Sequence, residues 1–137
     1  MKNNLLSTLA VMIGILAFTI LISSYTDPAK PWSVPDAAKS KKNPVASNAE
    51  SIASGKTLWG THCKSCHGAK GLGDGPKATT LKTEPGDLSS ASFQSQSDGA
   101  LFYKISEGRD DMPKFKQKIA EEEERWDLVN FMRTLKH

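Results

Sequence analysis

The chain has 137 residues, 24% of them charged, and a formal net charge of +3. That length allows one small domain with accessories. Residues 47–137 carry thirteen Lys and Arg against thirteen Asp and Glu, so the whole positive excess lies in residues 1–46; this excludes a basic nucleic-acid binder, and two cysteines are too few for a disulfide framework.

Leu5 to Ile22 is a run of eighteen residues without a charge, just long enough to cross a bilayer core of about 30 Å as a helix. We read residues 1–22 as a retained membrane anchor, with a signal-peptide core as the alternative, because Ser23-Ser24-Tyr25-Thr26 offers a poor cleavage site. The lysines give a conflicting orientation signal: Lys2 precedes the run, while Lys30, Lys39, Lys41 and Lys42 follow it. Residues 23–46 hold Pro28, Pro31, Pro35 and Pro44 among scattered lysines. They read as a partly extended tether spanning roughly 25–30 Å or more, or else as a fixed arm that packs through Trp32 and Val34.

The domain proper is expected over residues 47–137. Ser47-Asn48-Ala49-Glu50 has the form of a capping box, with Ser47 at the cap and Glu50 bonding back. The helix it opens carries Ile52, Leu58 and Trp59 on its apolar side. From Gly68 to Ser97 no period is sustained, and one short turn of helix is expected after Pro76. An irregular stretch of that length is acceptable only if it wraps something. Asp98 to Glu107 reads as a helix capped by Ser97 or Asp98 and stopped by Gly108, with Leu101, Phe102 and Ile105 at helical spacing. The last helix is expected from near Ala120, with Glu121 to Glu124 at its positive end, Arg133, Lys136 and His137 at its negative end, and Trp126, Leu128, Val129, Phe131, Met132 and Leu135 buried. No strand alternation and no internal repeat is present, so the fold class is all-α.

The two cysteines fall in Cys63-Lys64-Ser65-Cys66-His67, and Cys-x-x-Cys-His is the pattern of covalent haem attachment. Each thiol can form a thioether to one haem vinyl group, and the histidine that follows is then held at the iron. A zinc site needs four ligands and no second cysteine pair exists; a thioredoxin-like site wants a preceding strand, which is missing. For the second axial position a methionine sulfur is a common ligand that raises the potential. Met1 and Met12 belong to the apolar start, Met132 to the last helix, His62 to the attachment side and His137 to the chain end. Met112 remains, in Asp110-Asp111-Met112-Pro113, where Pro113 favours an extended backbone at Met112.

On these residues the chain resembles a class I, monohaem cytochrome c of the short bacterial type over about 90 residues, Ser47 to His137. Gly55 and Trp59 stand eight and four positions before Cys63, Leu128 and Phe131 stand three apart on the last helix, and Gly75-Pro76 and Met112 follow His67 at nine and 45 positions. The resemblance implies three to four helices around one haem c, Gly55 and Trp59 packed against Leu128 and Phe131, and a Pro76 carbonyl that accepts a hydrogen bond from the His67 ring and strengthens it as a ligand. The glycine-rich Gly71–Gly75 segment and the N-terminal extension depart from the simplest pattern.

The function expected is one-electron transfer, not catalysis: His67 and Met112 would leave no open iron site for a small-molecule substrate. The leading expectation is a membrane-tethered shuttle in a respiratory chain. It would carry electrons from a quinol-oxidising complex to a terminal oxidase or other reductase, with the haem domain on the periplasmic, outer side of a bacterial inner membrane, or soluble there if the N-terminal segment is cleaved. A dedicated haem subunit of a larger membrane or periplasmic complex is the alternative. A haem enzyme or gas sensor would need a labile sixth ligand. Lys64, Lys70, Lys77, Lys114, Lys116 and Lys118 flank the haem motif or the Met112 loop and could form a positive docking collar for an acidic partner.

Overall fold

The computed structural model of the chain describes residues 31–136. Residues from Ser33 onward form one compact unit. Among the described residues it contains six helices: α1 (Asp36–Lys39), α2 (Ala49–His62), α3 (Lys64–His67), α4 (Ala91–Gln94), α5 (Asp98–Glu107) and α6 (Glu122–Arg133). Two 3-10 turns, Ala78–Thr80 and Phe115–Gln117, complete the regular structure, and one isolated bridge pairs Arg109 with Met112. The all-α expectation is met; α2, α5 and α6 are the long helices and the other three are single turns. No described helix is long and apolar enough to cross a membrane, and the expected span at 5–22 lies outside the described residues.

The helix boundaries follow their capping chemistry. Ser97 caps α5 by accepting from the Ala100 N–H at 3.2 Å, and Gly108, with φ +62°, ends it. The cap of α2 departs from expectation. Asn48, not Ser47, has the extended backbone before the first helical residue, and its side chain accepts from the Ser51 N–H at 2.9 Å. Asn caps as well as Ser, and moving the cap by one residue puts Ser51 rather than Glu50 in the third helical position. Glu50 stays exposed.

The main packing event is the crossing of α2 and α6. The buried stripe of α2 is Ser51, Gly55 and Trp59, four residues apart and so on one face. Ile52 and Leu58 are only partly buried beside it. A Cβ at Gly55 would fall on the Asp127 carbonyl and lie 2.8 Å from the Phe131 Cβ, so glycine alone permits this approach. Leu128 is fully buried, and Trp59 meets Phe131 with ring centroids 5.6 Å apart. Ser51 Oγ donates to Asp127 Oδ1 at 2.6 Å and accepts from Asn130 Nδ2 at 2.7 Å, which satisfies polar groups that would be costly to bury unpaired. At the far end of α6, Arg133 donates to Asp98 Oδ1 and to the Gln94 and Gln96 carbonyls, fastening α6 to the start of α5.

Residues 33–46, for which a tether and a fixed arm were both expected, are folded against the helices as an arm, so the compact unit begins at Ser33 rather than Ser47. Val34 is buried. Gly99 on α5 lies under the Ala38 and Lys41 carbonyls, with no room for a side chain. Lys41 Nζ reaches Glu122 Oε1 at 2.6 Å and sits 4.7 Å from the Phe102 ring centroid, which itself stacks on Trp126 at 4.0 Å. Asn43 Nδ2 donates to Asn130 Oδ1 at 2.8 Å. The arm thus packs on α5 and reaches α6 at Glu122, Trp126 and Asn130, adding its cover to that of the other helices over the buried run from Arg125 to Met132.

Two outcomes test this packing. Gly55→Ala should lower stability by about 1–3 kcal/mol in denaturant unfolding through overpacking, although alanine is the better helix former. Hydrogen bonds from Lys41 and then Trp126 hold the Glu122 carboxyl below its ordinary value of 4.5. The unfolded chain therefore takes up that proton first as pH falls, and the stabilisation is complete above about pH 4.5 and lost as pH drops through the folded-state value. Unfolding midpoints of the wild type and Glu122→Gln should differ at pH 7 and converge in acid.

Candidate functional site

The residues that follow α2 build the site. The Cys63 N–H bonds to the Trp59 carbonyl at 3.0 Å, ending α2, and the chain re-enters a single helical turn in which the Cys66 and His67 N–H groups bond to the Cys63 carbonyl at 3.1 and 3.0 Å. Cys63 and Cys66, three apart on that turn, share a face. Both are free, half-buried thiols. Burial, and secondarily the Cys66 thiol, push the Cys63 pKa up to about 12. At neutral pH Cys63 is protonated, which makes it a poor free nucleophile.

His67 ends α3. Its ring lies 5.7 Å from the Trp59 ring, and burial lowers its pKa, so the imidazole is neutral, the form that binds a metal. Its Nδ1 is buried with no hydrogen-bond partner. The expected bond from the His67 ring to the Pro76 carbonyl is therefore not formed. The loop meets α3 through its backbone donors instead: Gly73 N–H bonds to the His67 carbonyl at 2.9 Å, Gly75 to Cys66 at 3.2 Å and Lys77 to Ser65 at 2.8 Å. Pro76, exposed, falls between two of these donors.

Trp59 has a role that its helix-packing assignment missed. Its indole Nε1 donates to the Gly68 carbonyl at 3.1 Å. One side chain on α2 therefore packs on Phe131, flanks His67 and fastens the residue after it. The aromatic at that offset was visible in the sequence, but its hydrogen bond was not.

Met112 stands across a tight turn from Arg109. The Arg109 N–H bonds to the Met112 carbonyl at 3.0 Å and the Met112 N–H to the Arg109 carbonyl at 2.8 Å. Half-buried, Met112 packs against the same hydrophobic cluster as Cys63. Phe115, three residues on, is buried and lies 5.9 Å from the His62 ring, which joins the Met112 segment to the end of α2. The six lysines of the expected collar are all exposed. Lys116 is paired with Glu107 at 2.8 Å, so it offers a partner less free charge than the others; Lys118 lies over the Phe115 ring, which leaves its charge unpaired.

This donor set fits a covalent haem. Two unpaired thiols share one helical turn, a neutral imidazole follows them with a buried nitrogen left bare, and a thioether lies on a loop that packs on the same core. Among the described residues no group of three His, Cys, Asp or Glu side chains could hold a metal ion unaided.

Residues 52–136 match the family model described as cytochrome c. No curated protein matches the chain. Among solved structures, a chain of the Kuenenia stuttgartiensis reducing HAO-like protein complex is similar in fold, with a TM-score of 0.64 and 24% identity over 79% of this chain. The present chain spans 52% of that one, about half its length.

Trp59→Phe in the haem-loaded protein should cost about 1–3 kcal/mol, because the buried Gly68 carbonyl loses its donor. Denaturant unfolding followed by haem absorbance checks this.

Proposed function

The chain belongs to the cytochrome c family, and from that membership we propose a one-electron carrier of the class I, single-haem type. The family implies a covalently bound haem c with its iron, an electron-transfer role and redox partner proteins. The cofactor supplies the reversible one-electron couple, and the protein supplies its ligands, its burial and a surface for partners.

In this reading Cys63 and Cys66 would hold the haem by thioethers and His67 would bind its iron. The observation that carries it is the single turn at 63–67, which presents two free thiols and a neutral, half-buried imidazole. Met112 is the second ligand, supported by its place on a pinned turn against the core. A sulfur ligand and a buried site both disfavour the more charged ferric state, so the potential is positive. With His67 and Met112 both bound to the iron, no substrate site would remain and little rearrangement would accompany electron transfer.

The chain is further proposed to be a membrane-tethered shuttle of a respiratory chain. The apolar run at 5–22 would anchor it, the haem domain would face the outer, periplasmic side, and a quinol-oxidising complex and a terminal oxidase or other reductase would be its partners. Tethering would raise the local concentration of carrier at its partners. Exposed Lys64, Lys70, Lys77 and Lys114 support a docking surface for an acidic partner. The second reading, a dedicated subunit of a larger complex, draws on the similar chain, whose own assembly is a protein complex. Co-purification at fixed stoichiometry favours the subunit; exchange between partners favours the shuttle.

An optical spectrum of the native membrane fraction should show c-type reduced bands and, when oxidised, the weak near-red band of methionine sulfur on ferric haem. Met112→Ala should abolish that near-red band, and its survival would overturn the assignment of Met112 as ligand.

A further inference from the structure

We propose that Asp111 is a positioning residue for the sixth iron ligand: it clamps the Met112 turn to the loop that descends from the haem-attachment helix. The proposal rests on the reading of Met112 as a ligand. Asp111 Oδ2 accepts hydrogen bonds from two successive backbone N–H groups, Lys82 at 2.7 Å and Thr83 at 3.3 Å. These donors lie 29 and 28 residues away in sequence and belong to no helix. A carboxylate that accepts from backbone N–H groups makes a stronger bond than a neutral acceptor.

The position of this clamp gives it its meaning. On one side, Asp111 directly precedes Met112, whose own N–H and carbonyl are both engaged by Arg109. Asp110, inside that turn, has φ +51°, a conformation Asp tolerates better than most residues. A Cβ at Gly108 would strike the Met112 carbonyl and the Pro113 backbone, so the segment folds back closely on itself. The turn moves as one piece, and whatever holds Asp111 holds Met112.

On the other side, Lys82 follows a continuous ladder of backbone bonds. The Leu81 N–H bonds to the Ala78 carbonyl at 3.2 Å, Ala78 to Gly75 at 2.8 Å, Gly75 to Cys66 at 3.2 Å and Lys77 to Ser65 at 2.8 Å. Asp111 is thus the link that joins the ladder rising from the attachment turn to the turn that carries Met112. It does so over the outside of the protein, independently of the hydrophobic core. Asp110, Asp111, Pro113 and Lys114 are all exposed, so apart from the half-buried Met112 side chain burial contributes little to holding this turn. Loss of the ligand requires this turn to swing away, and a bond present only in the closed state lowers the open population in proportion to its strength.

The test uses the haem-loaded protein and carbon monoxide, which binds ferrous iron only when the sixth ligand has left. Asp111→Ala should raise carbon monoxide uptake at neutral pH by roughly fivefold, the effect of losing about one net hydrogen bond at a solvent-exposed site, and should weaken the ferric near-red band. Asp111→Asn keeps an acceptor oxygen and should stay within about twofold of wild type. Glu84→Ala, an exposed change in the same loop, should leave both readouts unaltered. In the wild type the Lys82 and Thr83 amides should be protected from hydrogen exchange, a measurement that needs no variant to fold. Unprotected amides, or carbon monoxide uptake by Asp111→Ala equal to wild type while Met112→Ala takes it up freely, would overturn the clamp and leave the ligand standing. A near-red band that persists in Met112→Ala would instead remove the ligand reading itself.

Discussion

At Gly55 the backbone of α2 meets the backbone of α6 with no side chain between them, and the rest of the domain is arranged around that contact. It sets the height at which Trp59, one turn further along α2, reaches Phe131. Trp59 in turn flanks His67 and bonds to Gly68. The His67 side chain is therefore positioned by a chain of contacts that starts at Gly55, a residue with no side chain. The same crossing brings Ser51 within reach of Asp127 and Asn130, so the polar groups buried by the close approach satisfy one another. A small all-α domain has few ways to build a rigid wall, and two backbones in contact is the stiffest of them.

The site then divides its labour between helix and loop. The helical side carries the thiols and the imidazole, and burial keeps both in their neutral forms: the Cys63 thiol is pushed up and the His67 imidazole pulled down. Both shifts have desolvation as their largest cause, so one apolar environment prepares two chemically different groups. The loop side offers Met112 on a turn closed by its own backbone bonds. Each side is held in place by bonds within the protein itself.

What the sequence disclosed, and what it did not, follows from the range of the interactions. The haem motif, the Ser97 cap, the stop at Gly108 and the buried positions of α6 depend on neighbours a few residues away, and each could be read directly. The cap of α2 was displaced by one residue because Ser47 and Asn48 are equally good acceptors and only the backbone decides between them. The segment at 33–46 reads equally as a tether and as a fixed arm, because prolines and lysines suggest solvation while Trp32 and Val34 suggest packing; the anchors that decide it, Asn43 on Asn130 and Lys41 on Glu122, span more than eighty residues. Asp111 is similar, since nothing local distinguishes a carboxylate that receives two distant amides from one that faces water. The Pro76 expectation came from resemblance, and here the loop spends its backbone donors on α3 while the His67 ring nitrogen stays unpartnered.

The arm has a mechanical consequence. A pull on the chain at residue 33 does not act first on the attachment turn. It is borne by Val34, by the carbonyls of Ala38 and Lys41 seated on Gly99, and by the side chains of Lys41 and Asn43 held on α6. These contacts lie ahead of α2 along the load path and share the force among α5 and α6. The arm is in this sense a strain relief, like the clamp on a cable: tension from the N-terminal side is dissipated in the scaffold before it reaches the helix that ends at Cys63.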